Sequence, residues 1–358
     1  MLTLAKLFLL IAVVFIMALA VPIAAQATDT FSVTPVLPEN QNPESQGSFN
    51  LDVRAGQSQV IEVLVANHND DFITVEVSLI TPGTARSGVI DYSKSGDMDV
   101  SLETSFLDIA ELTVSSTITI PKSSSARVPI ALQIPESGFN GVIFGAIHVL
   151  LTVSEEEMAQ AGQFVHRFAQ VIPVRLFNNR AAVIAPDFEL GDIGLDLIVG
   201  VAAIEAYIRN PMPRFCIGAA VSARIFPAGS DTPIFTATDL EVDFAPHSVY
   251  SLTLLDNAGY GIPSGDYVAN ILIEFGGQIW SLEQNFNISP EISTAVNSNA
   301  INQQAPPQQQ LDNTQLSSIF LIVITGAVGV VIILCLLITV IVKSSKRRSH
   351  PLNSVKKQ

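Results

Sequence analysis

Gln59-Val60-Ile61-Glu62-Val63-Leu64-Val65-Ala66, Asn67-His68-Asn69-Asp70-Asp71, Phe72-Ile73-Thr74-Val75-Glu76-Val77-Ser78-Leu79-Ile80: along this stretch side chains alternate, stop alternating, and begin again. Val60, Glu62 and Leu64 fall on one face of a strand, with Ile61, Val63 and Val65 on the other. Ile73, Val75, Val77 and Leu79 form the inward face of the next. A period of two is the mark of β-structure, and the polar residues between the two runs read as a turn.

The habit continues outward. Further β-rich runs lie at 112–120, 126–134, 141–153 and 164–176, separated by Pro, Gly, Asn and Asp. Residues 28–177 are of a length suited to one β-sandwich with long loops. Asn178-Asn179-Arg180 begins a joint. A second set follows at 182–190, 202–209, 217–226, 239–244, 248–254, 265–274 and 277–288, giving a second sandwich over 178–290. Only Ser154-Glu155-Glu156-Glu157-Met158-Ala159-Gln160 invites a short helix or a widened hairpin loop, since serine followed by acids suits a helix start. Residues 291–318, rich in Asn, Gln, Ser and Pro, read as a flexible stalk.

Both ends are apolar. Lys6, an apolar run through Ala20, and Ala25-Gln26-Ala27 before Thr28-Asp29-Thr30 make a signal-peptide pattern over 1–27. Residues 319–342 carry no charge and are long enough for a membrane helix. Lys343, Lys346, Arg347, Arg348, Lys356 and Lys357 follow in a tail over 343–358, which the positive-inside rule places in the cytoplasm. The expected fold is therefore all-β: two immunoglobulin-like β-sandwich domains in tandem, then a flexible stalk and a C-terminal transmembrane helix. The expected location is the cell membrane, single-pass type I, with the ectodomain in the cell wall or at the extracellular surface.

Charge and cysteine narrow the function. Of the 18 basic residues 11 lie within 28–318, together with all 33 acidic ones, so that stretch carries 11 minus 33, or −22. Such a surface repels nucleic acid, which is excluded as a partner. The two cysteines, Cys216 and Cys335, are separated by the expected membrane boundary and cannot pair. Cys216, between Phe215 and Ile217, reads as a buried hydrophobe. The histidines show no zinc spacing, the acids at Asp187, Glu189, Asp192 and Asp196 no EF-hand pattern, and no nucleophile motif occurs. No cofactor or metal is expected, and no enzymatic activity.

The candidate binding residues are few. Asp91, Tyr92 and Ser93, with Lys94, place an aromatic ring beside short polar groups in a loop, as glycan or peptide recognition requires; the competing reading packs Tyr92 across the sandwich end. Trp280, after Gly276-Gly277, is either an exposed anchor or a core residue. Leu37 and Pro38, within Pro35–Gln41, are either a docking surface or a lace that ties down the N-terminus.

Several stretches are then familiar. Phe31-Ser32-Val33-Thr34-Pro35-Val36-Leu37-Pro38-Glu39-Asn40-Gln41, Phe49-Asn50-Leu51 with Gly56-Gln57, Gly88-Val89-Ile90-Asp91-Tyr92-Ser93 and Phe139-Asn140-Gly141-Val142-Ile143-Phe144-Gly145 resemble the first domain of the WxL-interacting proteins of low-GC Gram-positive bacteria. Asn210-Pro211 and Trp280-Ser281-Leu282-Glu283-Gln284-Asn285-Phe286-Asn287-Ile288 resemble their second domain. The resemblance covers essentially the whole chain. It implies a peptidoglycan-binding first domain, a second domain that contacts host surface proteins, and a scaffold that holds WxL-domain proteins at the cell wall without chemistry. The second domain here is low in lysine, which weighs against acidic host ligands. The alternatives are a membrane-anchored adhesin for host surface or matrix proteins and, with no residues to carry a mechanism, a cell-wall hydrolase.

Overall fold

The computed structural model describes residues 30–93, 95–152 and 168–300. They form two β-sandwiches. In the first, a four-stranded sheet is ordered β1 (Phe31–Val36), β3 (Ser58–Asn67), β9 (Ser125–Gln133), β7 (Ala110–Leu112). It faces a five-stranded sheet ordered β2 (Phe49–Asp52), β11 (Ala169–Phe177), β10 (Val142–Leu151), β4 (Ile73–Ile80), β8 (Thr117–Ile120). Of the alternating residues of the opening stretch, Ile61, Val63, Val65, Ile73, Val75 and Val77 lie in the core between these sheets, while Leu79, near the end of β4, is only half-buried and Ile80 is buried beside it. Each such core side chain contributes about 1.5–3 kcal/mol by leaving water.

The two strands of that stretch do not pair with each other. β3 and β4 belong to opposite sheets, and the turn between them carries the chain across the sandwich. Buried Asn67 braces the crossing, its amide donating to the carbonyls of Asp71, Ile120 and Pro121. Two other sheet edges are sealed locally. The Gln170 amide bonds the Val33 N–H and the Phe31 carbonyl on β1, and the loop at Asn40–Asn42 bonds the Asn50 carbonyl and the Asp52 N–H on β2.

The second sandwich sets β12 (Glu189–Ile198), β13 (Val201–Asn210) and β16 (Ser248–Leu255) against a second sheet. That sheet is ordered β15 (Phe235–Phe244), β14 (Cys216–Pro227), β17 (Gly265–Phe275), β18 (Gln278–Ile288). A small hairpin of β5 (Gly83–Thr84) and β6 (Ile90–Asp91) stands apart from the four sheets. The chain forms a strand at 189–198 where alternation suggests 182–190. A bulge between Leu190 and Ile193 shifts its phase, and the run therefore lacks a clean period. Cys216 is fully buried in this core, and burial pushes its thiol up to about 11, where it stays protonated.

Two helices occur among the described residues, α1 (Phe106–Ile109) and α2 (Pro290–Asn299). Helix α2 starts where the stalk was expected: Ser289 caps it by accepting the Ile292 N–H, Pro290 occupies its first turn, and it packs on β12. The segment at 154–160 lies outside the described residues, as do 1–27, Lys94 and 343–358.

One element of the expected fold is corrected. No helix among the described residues is long and apolar enough to cross a membrane. The longer one, α2, has 10 residues and rises about 15 Å, half a hydrocarbon core. Residues 319–342 lie outside the described residues. The transmembrane helix, the single-pass type I placement and the membrane contact through a C-terminal helix all rested on that segment, and none is retained.

Candidate functional site

The two domains meet through an arm of the first, residues 81–105, that leaves β4 and lies along the second. The arm is tight at its root, where Gly83 and Gly96 sit back to back; a Cβ on Gly96 would stand 2.5 Å from the Gly83 Cα. It then adds main-chain bonds to the exposed edges of the second sandwich. The Asp243 N–H donates to the Gly88 carbonyl (2.6 Å), the Val249 N–H to Asp97 (3.2 Å), and the Asp99 N–H to His247 (2.8 Å). Thr84 Oγ1 lies 2.8 Å from Ser248 Oγ and accepts the Ala245 N–H.

Two ion pairs of opposite sense lock the arm. Arg86 reaches Glu205 on β13 at 2.8 Å. Arg209 on the same strand binds Asp99 of the arm and, at 2.7 Å, Glu189. Glu205 is buried, and Ser251 Oγ donates to it at 2.7 Å, so its charge is compensated.

A second contact comes from the start of β10. Buried Asn210 holds the turn after β13 by donating to the carbonyls of Arg214 and Ala245. This turn presents the Pro213 carbonyl, which accepts the Val142 N–H at 2.9 Å. Gly141 has φ 66° and comes so near that a Cβ would stand 2.2 Å from the Pro213 oxygen. Phe144 packs edge-on against Phe215 at 4.7 Å. Gly145 provides the seat for the Phe106 ring. The motif Phe139–Gly145 is thus the first domain's half of a joint.

Between arm, joint and linker lies a cleft of about 580 Å³. Ser101, Glu103, Thr104, Asn140, Asn179 and His247 give it a polar lining, with Phe139 and Pro213 as apolar walls. The side chains of Glu103, Thr104, Asn140 and Asn179 make no hydrogen bond among the described residues, so their donors and acceptors are available to a ligand. The linker is held rigidly. Asn178 donates to the Val53 carbonyl and accepts the Phe139 N–H, and Arg180 lies over the Phe177 ring while bonding Asp52 and Asn50.

The sequence candidates fall in three places. Tyr92 is half-buried at the joint, edge-on to Phe144 at 5.9 Å, and burial raises its pKa above 10.0. Asp91 pairs with Gly83 across the β5–β6 hairpin and accepts both the N–H and the hydroxyl of Ser93. Leu37 and Pro38 follow β1; Leu37 is exposed, and the Pro38 carbonyl closes a turn with the Gln41 N–H. Trp280 is half-buried on β18, edge-on to Phe188 at 5.0 Å. None of the five lines the cleft. Of the residues that do, Asn140 and Asn179 were visible in a motif and a joint, whereas Glu103, Thr104 and His247 carried no pattern. Asp187, Glu189 and Asp196 of the acidic cluster are spent locally: Asp187 and Asp196 accept the next residue's N–H, and Glu189 pairs with Arg209. No group that could hold a metal ion occurs among the described residues.

Two titrating groups sit in the joint. Burial pushes the His247 imidazole below its ordinary 6.5, against the opposing charges of Asp99 and Glu103. For Asp99 burial acts upward, but hydrogen bonds from Arg209 and Ser101 and the Arg209 charge outweigh it, leaving the carboxyl below 3.8. A depressed imidazole stays neutral in the folded protein while the unfolded chain binds a proton. Its stabilisation is present above about 6.5 and is lost as pH falls. The Asp99 contribution is present above about 3.8 and is lost as pH falls through the lower folded value. Melting temperature should therefore drop in two acid steps. His247 has φ 48°, which asparagine tolerates, so His247→Asn should remove the upper step and keep the lower. A wild-type profile that stays flat from about pH 7.5 to 5 contradicts this.

Residues 31–150 match the family model described as WxL Interacting Protein, peptidoglycan binding domain, and residues 160–298 that described as WxL Interacting Protein, host binding domain. No curated protein matches the chain. Among solved structures it is similar to the E. coli chaperone DraB, at 13% identity over 71% of this chain and 99% of that one, with a TM-score of 0.27. It is also similar to the Pseudomonas aeruginosa CupB2 chaperone, at 9% identity over 64% and 93%, TM-score 0.25. A Salmonella enterica SafA pilin in complex with the SafB chaperone gives 14% identity over 73% and 99%, TM-score 0.29. Overlays of that quality carry no argument about this protein.

Proposed function

We propose, on the premise that this chain belongs to the WxL-interacting protein family, that the cleft between its two domains is where it grips the glycan of the cell wall. The protein is a non-enzymatic cell-surface binding and scaffold module, attaching to peptidoglycan and holding WxL-domain proteins there. The match of its second half to a host-binding domain supports a further contact with host surface proteins.

The observation that carries the cleft reading is its lining. Peptidoglycan sugars present acetamido groups, hydroxyls and an apolar ring face, and its stem peptides add amines. Asn140 and Asn179 offer amides that both donate and accept, Thr104 a hydroxyl, and Glu103 a carboxylate for an amine. Phe139 supplies an apolar wall. Because both domains contribute, a bound glycan would reach the first domain, the linker and the second at once.

The test is co-sedimentation of the purified full chain with insoluble peptidoglycan. An Asn140→Ala/Asn179→Ala/Glu103→Gln variant, altered only at exposed positions, should lose at least about tenfold in affinity with an unchanged melting temperature, since each lost hydrogen bond is worth about 0.5–1.5 kcal/mol. Undiminished sedimentation of the triple variant would falsify the cleft reading. Capture of a purified WxL-domain protein by the same variant then reports whether the scaffold role uses a separate surface.

A further inference from the structure

β15 and β16 are the edge strands of the two opposed sheets of the second domain, and consecutive in the chain, so their edges flank one side of the sandwich. Over their domain-proximal ends these edges are already occupied. The arm of the first domain bonds Asp243 of β15 and His247 and Val249 of β16 by main-chain pairing, and Met98 forms a bridge with Ser248. The arm stops there. In an antiparallel strand the main-chain groups alternate sides, and the outward N–H of Val249 is followed by those of Ser251 and Thr253. Neither has a cross-strand partner on that side among the described residues.

Past that point the same side of the sandwich opens into a groove of about 550 Å³ lined by Ile234, Phe235, Leu255, Tyr260, Ile262 and Pro263. Tyr260 is 93% exposed, and Ile234 and Leu255 are also exposed. The charged residues lining the groove are acidic; beside the β16 edge, Arg86 of the arm is paired with Glu205, which lies opposite Thr253. Asp256 lines the groove, Asp231 lies in the turn before Ile234, and Asp266 lines the adjoining depression; no lysine, arginine or histidine lines either. The Asp256 carboxylate accepts the N–H groups of Gly259 and Gly261, which holds the loop carrying Tyr260 in place. Elsewhere the β1 edge is bonded by Gln170 and the β2 edge by the 40–42 loop, while β12 packs against β18 and α2.

We propose that the distal edge of β16 and the groove beyond it form a docking site for an extended segment of a partner protein, apolar at alternate positions and carrying lysine or arginine between them. The segment continues the pairing that the arm begins, bonding Ser251 and Thr253. Its alternate apolar side chains enter the groove over Ile234 and Leu255 against Tyr260. Its basic side chains meet Asp231 and Asp256. Main-chain pairing sets its direction, and the groove and the acids set its composition. This site is separate from the junction cleft and does not depend on it.

The full chain would be titrated with a synthetic ten-residue peptide alternating valine or threonine with lysine, and with the same peptide carrying glutamate for lysine. The lysine peptide should bind at least about tenfold tighter. Hydrogen exchange should slow at the Ser251 and Thr253 amides on binding. Ile234→Lys, a change at an exposed position, should abolish the preference, and Thr253→Pro should remove the edge donor; the first keeps the test decisive where the second fails to fold. Equal affinity for both peptides overturns the proposal, as does protection elsewhere or full binding by Ile234→Lys. Protection of the same amides by self-association, or by a chitooligosaccharide, overturns it in favour of a second copy or a glycan.

Discussion

Phe106→Ala is expected to destabilise the first domain by about 3–5 kcal/mol, the usual cost of emptying a buried phenylalanine site. The ring is fully buried in the first core, on a helix of only 4 residues. The helix is held in place by Ser105, whose N–H and hydroxyl both donate to Asp108 at 2.7 Å. Beneath the ring lies Gly145, and a Cβ there would stand 2.0 Å from the Phe106 Cγ. The site thus depends on one large and one absent side chain. Gly145→Ala should also destabilise the protein, by about 1–3 kcal/mol through overpacking. The double variant should cost less than the sum, because the added methyl enters the space that the ring has left. The exposed neighbour Leu107→Ala should change stability by no more than about 0.5 kcal/mol. Urea unfolding of the four variants reads all of this at once. A Phe106→Ala midpoint no lower than that of Leu107→Ala would show that the ring is not a core element.

The second large effect is expected at Gly141. Alanine there meets two costs. The left-handed backbone at φ 66° disfavours any L side chain by about 1–2 kcal/mol. The new methyl is also directed at the main-chain oxygen of Pro213, which no rotamer change can move. Relief requires the second domain to back away, and the Val142 to Pro213 hydrogen bond is lost with it. The cores are untouched, so the damage should appear as uncoupling. The wild-type chain should melt as one calorimetric unit, because arm, ion pairs and joint bind the domains together. Gly141→Ala should melt as two. Gly138→Ala makes a useful contrast: it also has positive φ, but its methyl would meet the Asn178 side chain within the first domain and linker. That variant should lower stability while leaving the number of transitions unchanged. A single wild-type-like transition for Gly141→Ala would show that the joint tolerates separation.

The same comparison shows what could be read in the chain and what could not. Alternation in residues 59–66 and 72–80 separated the two faces of each strand: Ile61, Val63 and Val65 share one face and are core, as are Ile73, Val75 and Val77, whereas Leu79, expected on the same inward face, is only half-buried. It could not reveal that the two strands lie in opposite sheets, because a hairpin and a crossing impose the same period. The motif Phe139–Gly145 was conspicuous, yet its reason lies in Pro213 and Phe106, both remote in sequence. Asp91 and Tyr92 were candidates for glycan or peptide contact; Tyr92 packs at the joint against Phe144 and Asp91 sits in the β5–β6 hairpin, both outside the cleft lining. Glu103, Thr104 and His247 had no local signature, because a cleft residue needs only to face the right space.

Side-chain periodicity and turn residues by themselves determined that this chain is β-rich, where most strands run, and how side chains sort onto two faces of a strand. Those properties depend on each residue's neighbours two positions away, and the burial of an apolar face follows from water whatever lies opposite. Only the tertiary structure decided which edges meet, how the arm at 81–105 docks the domains together, and where polar groups converge into a cleft or leave an edge open. Those outcomes depend on contacts between residues scores of positions apart, for which a one-dimensional pattern holds no term.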